Sequence, residues 1–588
     1  MSLLLIHIPL VIIPSKPAHL SYTFHAGARK PPYIGSSTRR RSAMQCIGMT
    51  TARRSANYNP SFWDFNYIQS LTNQYTEERH SMHATELIVG VKKLLHQELE
   101  ANRWLELIDD LQQLCLSHHF DQEINQILNS IYYENTCNTK KRDLYSTALE
   151  FRLLREHGFQ VSQDVFDCFK NENGDFISSL GNDIRGLLQL YEASFLLTQG
   201  EETLELAHKF STKYLQRLVD DCDDDDDEDN ILESVRNALD IPIHWRVQRP
   251  NSRWFIEAYG RRPESNPIVL ELAKLDFNIT QAMHQQELKV ISRWWKETRL
   301  SEKLPFARDR IVESYLSTID GLSQPQYAYS RITITKVCML VTTIDDIFDV
   351  YATMEELQLF YDTIERWDLE AMEQLPNYMQ ICFLTLNNFI NEMAYNVLIE
   401  QDILIIPQLR KSWQDLCKSL IQEAQWQAAG YTPTLNEYTN NGSISSSVPV
   451  ILSHTFFLIT NPIEKASLYE YHELIRCSSM ILRLTNDLAT SPYEMERGDV
   501  SESVQCYMKE SGASVEEARE YVKFMIWETW KEMNEERVRD CGFSKKFIKC
   551  AIDLGRVAHY TYQIGDGVGV QNSHIKDRIS SLFFEPIV

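Results

Sequence analysis

The 588-residue chain is poor in chain-breakers, with 20 glycines and 19 prolines. A sandwich or propeller needs far more turn residues, so the scarcity favours long helices with few interruptions. The twelve cysteines form no Cys-x-x-Cys pair. That excludes a zinc ribbon and offers no disulfide framework, so a reducing compartment fits best. No internal repeat and no sustained strand alternation is present. Basic residues are in deficit, 58 against 82 acidic ones for a net charge of −24. A nucleic-acid binder needs a basic face, so that class is excluded. Long apolar runs are missing too. Leu3–Pro14 is interrupted by His7 and two prolines and is too short to span a bilayer. No later segment reads as a membrane span, so the mature protein is expected to be soluble. Hydrophobic residues at 43% and charged residues at 24% nevertheless match a folded globular chain.

Acids are absent altogether from Met1 to Trp63, the first being Asp64. Six basic and ten Ser or Thr residues lie before Arg53. An acid-free, Arg- and Ser-rich leader reads as an organellar transit peptide over residues 1–52. Without it, 52 basic residues face 82 acids, and the remaining chain carries −30.

Past Trp63 the pattern is helix after helix. Apolar residues recur three and four apart over Thr85–Glu100, Leu105–His118 and Ser179–Leu197. The acid run Asp220–Asp229 should be a solvated loop. The stretch Arg261–Pro267 is rich in helix breakers and reads as a domain junction. Further loops are expected around Gly430–Ser447 and Gly565–Ser573. The fold class is therefore all-α, in two helical domains split near residue 265.

One helix stands out. Apolar residues at 337, 340, 341, 344, 347, 348 and 351 mark it as largely buried, yet it carries Asp345, Asp346 and Asp349. Asp345 and Asp349 are i,i+4 neighbours, which puts their Cβ atoms roughly 5–6 Å apart on one face. Two carboxylates on an apolar helix repel each other unless a cation joins them, and hard oxygen ligands suit Mg²⁺ or Mn²⁺. A second helix repeats the device, with Asn486, Thr490 and Glu494 spaced i, i+4, i+8. Arg483 shares that face and is able to grip phosphate oxygens, while Pro492 predicts a kink before the last ligand. Arg308 and Arg310 lie some distance upstream. Carboxylates holding cations, cations holding a polyphosphate and arginines taking the remaining charge form one consistent chemistry. No P-loop, HExxH helix or nucleophile elbow is present, so the metals should activate a diphosphate leaving group rather than pass a phosphoryl to a protein nucleophile. Asp223, Asp224 and Asp227 show the same aspartate spacing, but without an apolar frame they read as solvated loop.

These residues resemble those of plant terpene synthases of the ionisation-initiated type. Asp345-Asp346-x-x-Asp349 matches the aspartate-rich motif, Asn486, Thr490 and Glu494 the second metal motif, and Arg308-Asp309-Arg310 the family's RxR. Arg53-Arg54 followed by eight residues and Trp63 matches the tandem-arginine motif of monoterpene synthases, and the resemblance covers residues 53–588. It implies an N-terminal α-barrel-like domain over 53–265 and a C-terminal class I terpenoid synthase fold over 266–588. It further implies a plastid transit peptide over 1–52, action in the plastid stroma, and a monomer. Asp345 and Asp349 would hold two Mg²⁺ and Asn486, Thr490 and Glu494 the third, three per active site, with Mn²⁺ as a substitute. Arg308, Arg310 and Arg483 would bind the diphosphate of geranyl diphosphate, and Asp346 would support the ligands rather than join them. Trp294, Phe456 and Phe457 would line the cavity as aromatic faces for the allylic cation. Arg53, Arg54, Tyr562 and Asp566 would belong to a lid that closes the site and assists isomerisation.

The chain departs from the family pattern at three places. Asn486 stands where Asp is commoner, which removes a negative charge from the third metal site. Glu502 stands where relatives often carry a Lys near the diphosphate. Ser317 occupies a place where many cyclases show Trp, and losing that ring should favour acyclic products such as ocimene, myrcene or linalool. Leu482, where hemiterpene synthases carry Phe, speaks against that subclass. The alternatives are a cyclic monoterpene synthase, a sesquiterpene synthase acting on farnesyl diphosphate, and a non-catalytic helical scaffold.

Overall fold

The computed structural model describes residues 53, 56, 58–97, 100–135, 143–221, 230–463, 472–497, 502–539, 541–563, 565 and 573–588, the side chains of 134, 135, 230 and 492–497 excepted. Arg54, Asp566 and the acid run 222–229 lie outside them. Where a breaker-rich junction is read from the sequence, the helix Gln248–Gly260 ends and a 32-residue helix, α1 (Pro267–Thr298), begins. Asn266 fixes its start by accepting the Ile268 and Val269 N–H groups, and Pro267 occupies the first turn, where a missing N–H costs nothing.

Every described element is helical, apart from one isolated bridge between Lys170 and Phe176. The periodic stretches of the sequence become the helices Glu78–Leu95, Ala101–Gln113 and Ile184–Ser194, each a few residues adrift of the pattern. All described cysteines are free. Residues 53–588 form one unit, and its largest apolar cluster runs from Val91 and Leu105 through Leu272 and Phe277 to Phe583. α1 is therefore covered on both sides. It packs on Glu78–Leu95 and on α2 (Ala328–Asp346). The C-terminal tail is stitched along it, since Gln281 and Gln285 donate to the Leu582 and Phe583 carbonyls.

Five more helices build the site: α3 (Ile406–Ala429), α4 (Leu435–Ser445), α5 (Glu473–Arg497), α6 (Ser503–Ser511) and α7 (Lys545–Tyr562). α4 corrects the expectation of a loop over 430–447. Thr434 and Glu437 form a reciprocal capping box that starts it, and Gly430 in the left-handed region ends α3 just before. α5 also stays helical through Pro492 to Arg497, beyond the predicted kink. Leu435–Ile459 is long and apolar enough to cross a membrane by length and composition. It is, however, two helices, the second Val448–Ile459, and is mostly buried inside the bundle.

A buried ion pair sets how α2 is rotated. Arg331, fully buried, donates to Glu287 of α1 at 2.6 and 2.9 Å, and the Tyr315 hydroxyl adds a third bond to the same carboxylate at 2.8 Å. Such a pair contributes register more than net stability.

Candidate active site

α2 buries Val337, Leu340 and Ile344 completely in the core. The opposite stripe, Cys338, Val341, Thr342 and Asp345, faces a cavity of about 440 Å³. The Thr342 and Thr343 hydroxyls return to carbonyls four residues back, at 3.0 and 2.8 Å, which competes with the helix ladder. The α-helix then ends at Asp346, and Ile347–Tyr351 continues as a π turn, closed by Ala352 N–H donating to Ile347 O at 3.1 Å. The aspartate motif is thus not a plain α-helical i,i+4 pair. Asp349 sits in the π turn, a local rewinding that often re-aims side chains at functional sites, and both Asp345 and Asp349 line the cavity.

Asp346 points the other way. It is fully buried and takes the Arg308 backbone N–H at 2.7 Å and its Nε at 2.9 Å, while Arg308 Nη2 reaches Asp345 at 2.6 Å. Burial opposes the Arg308 charge, yet Asp346, Tyr58 and Asp345 hold its pKa well above its ordinary value. Asp349 is open to the cavity. The protein crowded round it, followed by the Asp345 and Glu423 carboxylates, pushes its pKa well above the carboxylate range against the pull of Arg308. Negative charge is in excess here, a condition a bound cation relieves.

The facing wall comes from α5. Leu482, Arg483, Asn486 and Thr490 recur at helical spacing along the cavity. Arg483 Nη2 donates to Ser445 of α4 at 2.8 Å, while its Nε is buried with no partner among the described residues. An orphaned guanidinium donor beside a carboxylate cluster fits an anion held together with cations. α4 passes close by, and a Cβ at Gly442 would lie 3.3 Å from Arg483 Cγ. The Glu494 side chain lies outside the described residues.

Several other expected residues are placed elsewhere. Arg310 is buried away from the cavity and donates to Asn59 O at 3.1 Å, so it ties down the N-terminal segment rather than facing the diphosphate pocket. Phe456 and Phe457 pack in the core, Phe456 against Phe543 and Phe547. Trp294 lies off the cavity too, with the Lys336 ammonium over its ring. Among the described residues, the aromatic side chains that do line the cavity are Tyr58, Tyr560 and Tyr562.

The N-terminal segment is a strap whose described residues are anchored at both ends and reach the cavity. Arg53 makes a two-pronged pair with Glu356 at 2.7 Å and stacks over Tyr351, the last residue of the π turn. Trp63 is buried on Phe584 with ring centroids 4.9 Å apart. Between these pins, Ala56 and Tyr58 line the cavity, and Arg308 lies 5.1 Å from the Tyr58 ring.

Comparison with known proteins follows the same division of labour. Residues 62–239 match the terpene synthase N-terminal domain, and residues 296–532 match the metal binding domain of the terpene synthase family. The chain belongs to the terpene synthase family. A chloroplastic cineole synthase from Salvia fruticosa is 53% identical over 541 residues, 91% of this chain and 90% of that protein. The crystal structure of limonene synthase with 2-fluorolinalyl diphosphate superposes with a TM-score of 0.88 at 51% identity, covering 91% of this chain and all of that one. Isoprene synthase from grey poplar leaves, in complex with three Mg²⁺ ions and dimethylallyl-S-thiolodiphosphate, gives 0.82 at 40% identity over 90% of this chain and 99% of that one. The synthase is thus an enzyme, a lyase of the class that breaks a carbon–oxygen bond to diphosphate, with an all-helical terpenoid synthase fold.

Some residues of the synthase's site carry no motif. Glu423 of α3 is buried on the cavity wall and accepts from Asn441 at 3.0 Å and Ser445 at 2.6 Å; burial raises its pKa despite Arg483. A lone Glu in an amphipathic helix gives no sequence signal. Glu356 and Tyr378, which receive Arg53, were equally silent.

Proposed function

We propose that the synthase ionises geranyl diphosphate to monoterpenes in the plastid stroma, as a monomer, with residues 1–52 a plastid transit peptide. Residues 53–265 form its N-terminal domain and 266–588 its catalytic one. The observation that carries this reading is one cavity lined by two chemically distinct sets of residues. One set is the oxygen donors Asp345, Asp349, Asn486 and Thr490 with Arg308 and Arg483; the other is the apolar Leu316, Val341, Ile451, Leu482 and Val557. An anionic head and a hydrocarbon tail fit such a cavity. The leader and the Arg53–Trp63 strap favour the ten-carbon substrate over farnesyl diphosphate.

Asp345 and Asp349 would hold two Mg²⁺, and Asn486, Thr490 and Glu494 the third, where the bound metal would supply the positive charge that neutralises a diphosphate leaving group. Arg308 and Arg483 grip the remaining phosphate oxygens. The strap and the tyrosines shut out water, so the allylic cation meets apolar walls and π faces rather than solvent. Arg53, Arg54, Tyr562 and Asp566 belong to this closure.

The product we infer is acyclic. No Trp or Phe lines the described cavity, and Ser317 on its wall offers only a small hydroxyl. A cyclic product is the second reading, favoured by the likeness to cineole and limonene synthases. The test is incubation of the chain from Arg53 onward with geranyl or farnesyl diphosphate and Mg²⁺, with chromatographic identification of the volatiles. Ten-carbon acyclic products are expected. Mainly bicyclic products would reverse the product assignment, and turnover of farnesyl diphosphate alone would reverse the substrate.

A further inference from the structure

Among the described residues, α5 brings no carboxylate to the cavity. Its described second-motif residues on the cavity, Asn486 and Thr490, are both neutral. Asp487, between them, is fully buried and committed elsewhere: both its oxygens take the Tyr438 hydroxyl, at 2.9 and 3.0 Å, and one takes the Ser503 N–H at 3.3 Å. Among the described residues, the carboxylate that reaches this wall is Glu502, at the N-terminus of α6. It is 6% exposed, and its Oε1 accepts the Thr490 hydroxyl at 2.7 Å.

The direction of that bond matters. Thr490 Oγ1 also lies 3.0 Å from the Asn486 carbonyl, but a hydroxyl has a single proton. The shorter, charge-assisted contact to Glu502 takes it. Both lone pairs of Oγ1 are then left to accept, and the carboxylate behind the hydroxyl makes the oxygen more electron-rich, as partners behind metal ligands generally do. Glu502 also caps α6, accepting the Gln505 N–H, while the Gln505 side chain returns to the Glu502 N–H at 2.9 Å. Capping alone does not call for this residue, because Ser, Thr, Asp and Asn are the preferred caps and capping uses nothing from Thr490.

We propose that Glu502 is a positioning residue for the cation held by the second motif: it orients Thr490 as an acceptor and supplies the negative charge that the Asn486 amide lacks. The proposal rests on the metal–diphosphate reading given above.

The test counts Mn²⁺ bound to the chain from Arg53 onward in the presence of inorganic pyrophosphate, by the electron paramagnetic resonance of free Mn²⁺. In Glu502→Gln the amide oxygen is still able to accept from Thr490, while the negative charge is lost and an NH₂ group replaces the second oxygen. The weakest class of bound Mn²⁺ should loosen about 10- to 100-fold, as for other partners behind metal ligands, with thermal unfolding unmoved. Adding Asn486→Asp to Glu502→Gln should restore most of that affinity, because the charge is returned to the same wall. Unchanged Mn²⁺ binding in Glu502→Gln, or no rescue by Asn486→Asp, would overturn the proposal and leave Glu502 a helix cap. Should Glu502→Gln fail to fold, Asn486→Asp alone is measured; it should tighten the weakest class, and unchanged binding would overturn the proposal. A parent chain that takes up no Mn²⁺ with pyrophosphate would instead overturn the metal–diphosphate reading itself.

Discussion

Asp346 and Asp349 lie three residues apart in one motif and have opposite surroundings. Asp346 is sealed against Arg308, whereas Asp349 opens onto the cavity. Their substitutions should separate accordingly. Asp349→Ala should abolish diphosphate release while leaving thermal unfolding nearly unchanged, since no partner held inside the protein is stranded. Asp346→Asn should cost about 3–5 kcal/mol, because it deprives the Arg308 guanidinium of its buried counter-charge; denaturant unfolding measures this. Retained turnover in Asp349→Ala would remove that residue from the metal site. Ser317 makes a different prediction. Ser317→Trp places a π face on the cavity wall and should raise the share of cyclic products, read by chromatography.

At the scale of elements, α4 and the strap decide how the site is held. Gly442→Ala would press a Cβ on Arg483, and overpacking of this kind costs about 1–3 kcal/mol. Displacing Arg483 should raise KM for the diphosphate more than it lowers stability. Trp63→Ala releases one end of the strap, so water should enter and the ratio of alcohols to hydrocarbons should rise. That Asp345, Asp349, Asn486 and Thr490 line one cavity was legible because helical spacing aligns their side chains on one face of each helix. α4 was not read as a helix because its serines, asparagines and glycine mask the periodicity. The signal present was the Thr434–Glu437 capping box. The π turn has no local signature at all. The apolar periodicity runs on through Ile347, Phe348 and Tyr351, so nothing in the pattern marks it. The aromatic residues were misplaced for a similar reason. Phe456, Phe457 and Trp294 are apolar wherever they sit, and only the packed bundle decides which rings face the cavity.

The whole chain joins an acid-free segment over residues 1–52 to a body of charge −30 for which an anionic substrate is proposed. Net charge excluded nucleic acid but said nothing about a substrate met by cations and arginines inside a cavity. Removal of residues 1–52 should leave turnover intact, since the residues proposed to bind metal and diphosphate lie beyond them, whereas a chain starting at Asp64 lacks the strap and should lose most of it. The central claim is that Asp345, Asp349, Asn486 and Thr490 work with a divalent cation to ionise geranyl diphosphate. Its most direct test is diphosphate release from geranyl diphosphate by the chain from Arg53 onward, with Mg²⁺ and with EDTA. Release matched by ten-carbon volatiles, and lost on chelation, is the predicted result; full turnover in EDTA, or no release with Mg²⁺, would contradict it.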